Sequence, residues 1–306
     1  MPLPVPQHIK TISAYHQAMG LPKPWHPMVS VISFDEHRKN YTATSASLVF
    51  DFYTVALKRD FKGKIKYGQQ EYDFDEGIMT FMAPGQVLRI EADPEKPVNH
   101  SGWLLLFHPD FLLNTHLAQP VRNYAYFGYA VHEALFLSDN EETIVNGIMQ
   151  GIQQEYRQNI DAFSQNIIIS HIEMLLSYAE RFYNRQFITR KTASHELLER
   201  LEKTLHSYFE NDAIISEGLP TVQYIAEALS FSPNYLSSML KTLTGRTTQQ
   251  HIHDRLIEKA KEKLSATGLS VSEIAYGLGF GHPQSFTKLF KIKTSMSPVE
   301  FRQSMS

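Results

Sequence analysis

The 306-residue sequence contains no cysteine. That absence excludes a disulfide framework, a thiolate zinc site and a cysteine nucleophile, and it is compatible with a reducing compartment. Long apolar runs are also missing. None approaches the roughly 20 residues that a membrane-spanning helix needs. The start, Met1-Pro-Leu-Pro-Val-Pro-Gln-His8, lacks the basic stretch and apolar segment of a secretory leader. A cytoplasmic protein without membrane contact is expected. No phosphate-binding loop, nucleophile elbow or zinc spacing occurs, so no catalytic residue, metal or cofactor is expected.

What is present is ordinary for a soluble protein with real cores: 42% hydrophobic, 20% charged and 12% aromatic residues. The length leaves room for about two domains. The net charge of −3 conceals an asymmetry. Residues 231–306 hold ten Lys/Arg against five Asp/Glu, while residues 1–230 hold nineteen against twenty-seven. A basic end on an acidic body marks either a nucleic-acid-binding module or chance segregation of charge.

From about residue 28 to 112, short apolar and β-branched runs alternate with turn signals. Met28–Phe34, Leu48–Leu57, Ile78–Met82 and Trp103–Phe107 are such runs, separated by breaks such as Pro84-Gly85 and Asp93-Pro94. This spacing predicts a small sandwich or barrel. Alternation in Tyr72-Asp-Phe74 and around Ile78–Phe81 predicts strands with one wet face. Phe50, Phe52, Tyr72, Phe74, Phe81 and Trp103 are candidates for lining an apolar pocket. Aromatic side chains on strands also serve as plain core, and the sequence leaves both readings open.

From about 139 to 184 the period becomes helical. Ile144, Ile148, Ile152 and Tyr156 form one stripe; Ile168, Ile172, Leu176 and Ala179 form another. The second stripe, with Leu175 and Phe182, is the candidate surface for a homodimer; packing within the chain is the alternative. Residues 184–194 have lost the apolar period and read as a linker between a first domain over 1–190 and a second over 195–306.

The second domain contains a repeat. Thr221-Val-Gln-Tyr-Ile-Ala-Glu-Ala-Leu-Ser-Phe231 matches Ser270-Val-Ser-Glu-Ile-Ala-Tyr-Gly-Leu-Gly-Phe280 at five apolar positions. Each copy leads through a short turn into a second amphipathic stretch, so a helix–turn–helix is built twice, at 221–243 and 270–293. Thr221 and Ser232 are suited to cap helices, Pro233 to a first helical position, and Gly245 to a helix end. Ser270 and Glu273 form a capping box. The helix expected over 247–264 is about 27 Å long, against about 34 Å between successive major-groove faces on one side of B-DNA. The outward residues of the two second helices are the candidate DNA readers. They are Asn234, Ser237, Ser238 and Lys241 in the first, and His282, Gln284, Thr287, Lys288 and Lys291 in the second, with Lys293 near the backbone. Gln pairs with adenine in two-point fashion and Lys donates to guanine O6/N7. A solvated polar face is the alternative for each residue taken singly.

These residues carry a resemblance. The segment from about Leu198 to Arg302 is similar to the DNA-binding domain of the AraC/XylS family of bacterial transcription regulators. The agreement covers Ser272-Glu-Ile-Ala-Tyr276, Leu278-Gly-Phe280, Ser285-Phe286, Phe290-Lys291, Ser297-Pro298 and Phe301-Arg302. The resemblance implies two helix–turn–helix subdomains joined by a long helix, promoter DNA as ligand, and recruitment of RNA polymerase by an activator. Ser295 stands where the family usually has Gly. Gly77-Ile-Met-Thr-Phe-Met-Ala-Pro-Gly-Gln86 resembles the cupin-like strand of the family's sensing domain, which implies an unidentified small-molecule effector and dimerisation through the helices that follow. The implied fold is α+β, a cupin-like barrel or sandwich with trailing helices and then an all-α domain. Two rival readings remain: a DNA-binding regulator whose barrel only dimerises, and a cupin enzyme fused to a helical domain. Against the enzyme, the 14 histidines are scattered and the barrel region has no His-x-His pair.

Overall fold

Strands form in the first half of the chain at runs rich in β-branched and aromatic residues, such as Val29–Ser33, Tyr53–Arg59 and Ile78–Met82. The computed structural model describes residues 6–36, 46–59, 66–67, 70–71, 77–90, 101–130, 133–158, 163–189, 191–210, 214 and 218–305. Two units divide the chain, Met1–Gln186 and Phe187–Ser306. Among the described residues, no helix is long and apolar enough to cross a membrane.

The first unit runs β1 (Gln7–Ile9), α1 (Ile12–Ala18), β2 (Val29–Ser33), β3 (Ala46–Phe50), β4 (Tyr53–Arg59), β5 (Lys66–Tyr67), β6 (Gln70–Glu71), β7 (Ile78–Met82), β8 (Val87–Ile90), β9 (Ser101–Phe107) and β10 (Leu135–Phe136). The helices α2 (Asp139–Arg157) and α3 (Ser164–Thr189) follow. Five strands form one antiparallel sheet in the order β10-β7-β4-β9-β2, and three form a second in the order β1-β3-β8. Register decides which side chains share a face. Val55 lies opposite Phe81 and Leu105, whereas Ala56 lies opposite Thr80 and Leu104. The face of Ala56, Leu104 and Leu106 packs with Ile12 and Tyr15 of α1, Leu48 and Phe50 of the small sheet, and Phe52.

The opposite face carries Phe81, whose ring meets Tyr126, Phe127 and Tyr183 of α3 at 4.6, 5.9 and 6.1 Å. Burial pushes the Tyr126 hydroxyl pKa far up, and that hydroxyl donates to the Leu176 carbonyl at 2.8 Å. The large sheet is therefore covered on both sides, which corrects the expectation of one wet face around Ile78–Phe81; four of the five β7 residues are buried. The strands form an α+β arrangement of open sheets, and no closed barrel is found among the described residues.

Two further corrections concern α3. Ile168, Ile172, Leu175, Leu176, Ala179 and Phe182 are all buried within the single chain. The apolar stripe is thus core rather than a free dimer surface. The linker expected over 184–194 does contain the boundary between the two units, at Gln186 and Phe187, but its described residues are helical, with α3 reaching Thr189 and the next helix starting at Lys191. Its polar residues do local work. The Gln186 side chain accepts from the Phe136 N–H at 2.8 Å and donates to the Ala134 carbonyl at 3.2 Å. Arg185 grips both Glu141 oxygens at 2.9 and 2.8 Å.

The second unit is helical: α4 (Lys191–Glu210), α5 (Val222–Leu229), α6 (Pro233–Thr244), α7 (Thr248–Ala266), α8 (Val271–Gly277), α9 (Pro283–Thr294) and α10 (Pro298–Met305). The short helices α5 and α8 start at hydroxyl caps, Thr221 accepting from Tyr224 N–H at 3.0 Å and Ser270 from Glu273 N–H at 3.2 Å. Ile225, Ala226 and Leu229 in α5, and Ile274 and Ala275 in α8 with Leu278 just after it, are buried. Small Ala226 and Ala275 let each short helix cross its partner closely. The long α7 packs against α4, α5, α6, α8, α9 and α10.

Gly245 ends α6 at φ +76° and Ser295 ends α9 at φ +62°. The left-handed region is free to glycine and costs other residues roughly 1 kcal/mol. Ser295→Gly is therefore expected to stabilise the second unit by about 0.5–1 kcal/mol, part of the gain being lost to glycine's freer unfolded chain. Urea unfolding followed by circular dichroism checks this; a lower midpoint would contradict it.

Candidate nucleic-acid interface

Helices α6 and α9 each follow a short helix across a tight turn, and each begins with proline at its first position. Their buried stripes hold Leu236, Met239 and Leu240 in α6, and Phe286 and Phe290 in α9. Side chains at i, i+4 and i+7 share a helix face, so burying those stripes turns Asn234, Ser238 and Lys241 outward from α6. The same step turns Gln284, Lys288 and Lys291 outward from α9. All six are exposed except Ser238, which is half-buried. The two rows correspond at a constant offset of 50 positions.

The remaining predicted readers separate from these rows. Ser237 shares a hydrogen bond of 3.0 Å with Thr248, and Thr248 is fully buried. This hydroxyl joins α6 to α7, so its expected role as an outward reader is corrected. Thr287 is half-buried and its hydroxyl donates to the Pro283 carbonyl at 3.0 Å. His282 is exposed at the start of α9 and makes no capping bond. Lys293 is held by Asp254 at 2.7 Å.

Sequence reasoning missed Ile292. It is 67% exposed and stands four positions after Lys288, on the outward row. Helical spacing alone would have placed it there. An apolar side chain among cations and an amide can touch a thymine methyl, while the amide and lysines address base edges or phosphates. The face of α6 offers only one amide, one hydroxyl and one lysine. The arrangement can bind a polyanion and read bases mainly through α9.

Two histidines sit behind this face on α7. His251 is held below the usual imidazole value of 6.5, first by burial, with Arg246 adding to the effect and Glu202 and Asp254 opposing it. His253 is lowered likewise by burial and then by Lys293. The unfolded chain therefore takes up more protons than the folded one as pH falls below about 6.5. The stability these neutral rings contribute is complete above that value and lost as pH falls through it toward the lowered folded values. The second unit is expected to weaken as pH falls below about 6.5, and His251→Gln/His253→Gln should flatten that slope. An identical slope in the double variant would contradict the assignment.

The place of Phe50, Phe52, Tyr72, Phe74, Phe81 and Trp103 is also clear in part. Tyr72 and Phe74 lie outside the described residues. Phe50 and Phe52 stack at 5.2 Å on one side of the large sheet. Phe81 and Trp103 belong to the other side, where the Trp103 indole N–H donates to Asn146 at 2.9 Å. The four described rings are not brought together around one cavity.

Comparison with known proteins matches residues 225–304 to a family model described as a helix-turn-helix domain. An uncharacterized HTH-type transcriptional regulator, YobQ of Bacillus subtilis (strain 168), is 30% identical over 115 residues, covering 36% of this chain and 48% of that protein. The HTH-type transcriptional activator RhaS of Enterobacter sp. (strain 638) is 29% identical over 158 residues, covering 51% of this chain and 56% of the other. The chain spans about half the length of the curated relatives it matches. Among solved structures, a transcriptional regulator described as AraC-type from Chromobacterium violaceum is 18% identical, covers 38% of this chain and 96% of its own, and has a TM-score of 0.33. By the matched domain and its relatives, the second unit of this chain is similar to the DNA-binding domains of AraC-type helix-turn-helix transcription regulators.

Proposed function

We propose that this regulator binds promoter DNA through two helix–turn–helix pairs and, as a cytoplasmic homodimer, activates transcription by recruiting RNA polymerase in response to a small effector. The observation that carries the DNA-binding part is the matched pair of outward rows, Asn234–Ser238–Lys241 and Gln284–Lys288–Lys291, on frames buried in the same way. A repeated binding unit suits a ligand that repeats, and the major groove does so once per helical turn. The family is one of regulators rather than enzymes. Activation is carried over from the RhaS relatives, which are named as activators.

For dimerisation, the opposite side of α3 replaces the buried stripe. Phe163 just before the helix, and Ile167 and Met174 within it, are exposed large apolar residues and fall on one face at i, i+4 and i+11. A second reading, in which the first unit dimerises without sensing anything, draws on the separation of the Phe50–Phe52 and Phe81–Trp103 groups. Selection of bound fragments from random-sequence duplexes by the full chain tests DNA binding; a recovered pool with no enriched sequence overturns it. Repeating the selection with candidate metabolites present separates sensing from dimerisation alone, because only a sensor changes its affinity.

A further inference from the structure

Asp254 lies in the second turn of α7 and binds two cations at once. Its Oδ2 accepts from Arg246 Nη1 at 2.9 Å, and its Oδ1 accepts from Lys293 Nζ at 2.7 Å. Arg246 directly follows the glycine that closes the first helix pair, and Lys293 stands in the last turn of α9 in the second pair. One carboxylate thus ties down a cation from each pair.

Several other polar ties to α7 serve one side each. Ser237–Thr248 and Thr244–His251, at 3.0 and 2.9 Å, hold the first pair. Arg302 of α10 donates to the Leu264 and Leu269 carbonyls at 3.2 and 2.6 Å on the second side. A backbone contact also brings Gly279 of the second turn against Gly218 ahead of the first pair. That contact limits how closely the two approach, but glycine offers no side chain to resist rotation.

Asp254 and Lys293 have side chains only 26% and 27% exposed, so solvent and salt screen this pair less than an ordinary surface pair. Removing the negative charge does more than loosen the joint. It leaves Arg246 and Lys293 as neighbouring like charges, which repel. We infer that Asp254 is a positioning residue: it sets the relative orientation of the two helix pairs and through it the spacing between the two DNA segments that the chain accepts. This rests on the reading that both pairs bind DNA.

The test uses the full chain and a duplex selected by it from a random-sequence pool, with one base pair inserted or removed between the two protected segments. Each such step shifts the second segment by about 3.4 Å and turns it by roughly a tenth of a turn. The unaltered chain is expected to lose about tenfold or more in affinity per step, and Asp254→Asn less than about threefold, with weaker binding to the original duplex. Asp254→Glu should restore the steep penalty. An equally steep penalty in Asp254→Asn overturns the inference.

A second readout needs no DNA. The chain has no cysteine, so Gln223→Cys and Ser272→Cys place one spin label on each pair. The distance distribution between labels should broaden in Asp254→Asn and narrow again in Asp254→Glu; an unchanged width overturns the inference. Failure of the unaltered chain to select any duplex would defeat the DNA reading, while the label distances would still decide the role of Asp254 in orientation.

Discussion

Gln284→Ala and Lys288→Ala are each expected to weaken binding to a selected duplex by about 1–3 kcal/mol, that is, by roughly five- to 150-fold. Both side chains are exposed on the outward row of α9, and neither has a hydrogen bond or ion pair that the fold depends on among the contacts described. Truncation should therefore leave the folded chain intact and act on the complex alone. The two losses should differ in kind. Gln284 presents a donor and an acceptor side by side, so its removal should relax preference at one base position. Lys288 presents a point charge, so its removal should lower affinity and reduce the salt dependence of binding by about one counterion. Equal affinity and equal sequence preference in both variants would remove these residues from the interface. Ser238→Ala on α6 is the internal comparison, because a half-buried short hydroxyl has less to lose.

Gly102→Ala is expected to destabilise the first unit by roughly 3–5 kcal/mol, far beyond a typical substitution. Gly102 has φ +116°, a conformation open in practice to glycine alone. A Cβ there would stand 2.3 Å from the Leu57 carbonyl oxygen on the neighbouring strand β4. Backbone on backbone leaves no flexible side chain to yield. Gly85→Ala provides the control. It also has a positive φ, +84°, but nothing lies within 4 Å of the added carbon, so only the conformational cost of about 1 kcal/mol remains. The sequence has two tryptophans, Trp25 and Trp103, and both lie in the first unit. Their fluorescence during urea unfolding follows that unit without a label. Similar midpoint shifts in the two variants would contradict the steric argument.

Local chemistry made part of this legible from the sequence. Thr221, Ser232 and Ser270 do cap helices, Pro233 does open α6, Glu273 does reach back to the Ser270 N–H at 2.7 Å, and Gly245 does close a helix in the left-handed region. These signals involve residues three or four apart, so no tertiary knowledge is needed to read them. The outward rows follow from the same periodicity, once the buried stripe is recognised. Ser295 adopts the glycine conformation in spite of its side chain, which shows that surrounding packing overrides the local preference.

The illegible features depend on which distant residue arrives. Ser237 looks like an outward reader until Thr248 is placed beneath it. Phe50 and Phe81 look like neighbours in one pocket until strand register assigns them to opposite sides of a sheet. The α3 stripe is equally apolar whether it meets another copy or its own domain; contacts such as Tyr126 to the Leu176 carbonyl decide for its own domain. The 184–194 segment does hold the boundary between the units, but its helical structure stays hidden because the partners of Arg185 and Gln186, Glu141 and Phe136, lie some 44 to 50 residues earlier.

The measurement that bears most directly on DNA binding by two helix pairs is base-level footprinting of the full chain on a selected duplex. Two protected segments about one helical turn apart are expected, with Gln284→Ala erasing base contacts only in the stronger of them. A single protected segment that survives loss of either outward row would contradict the account.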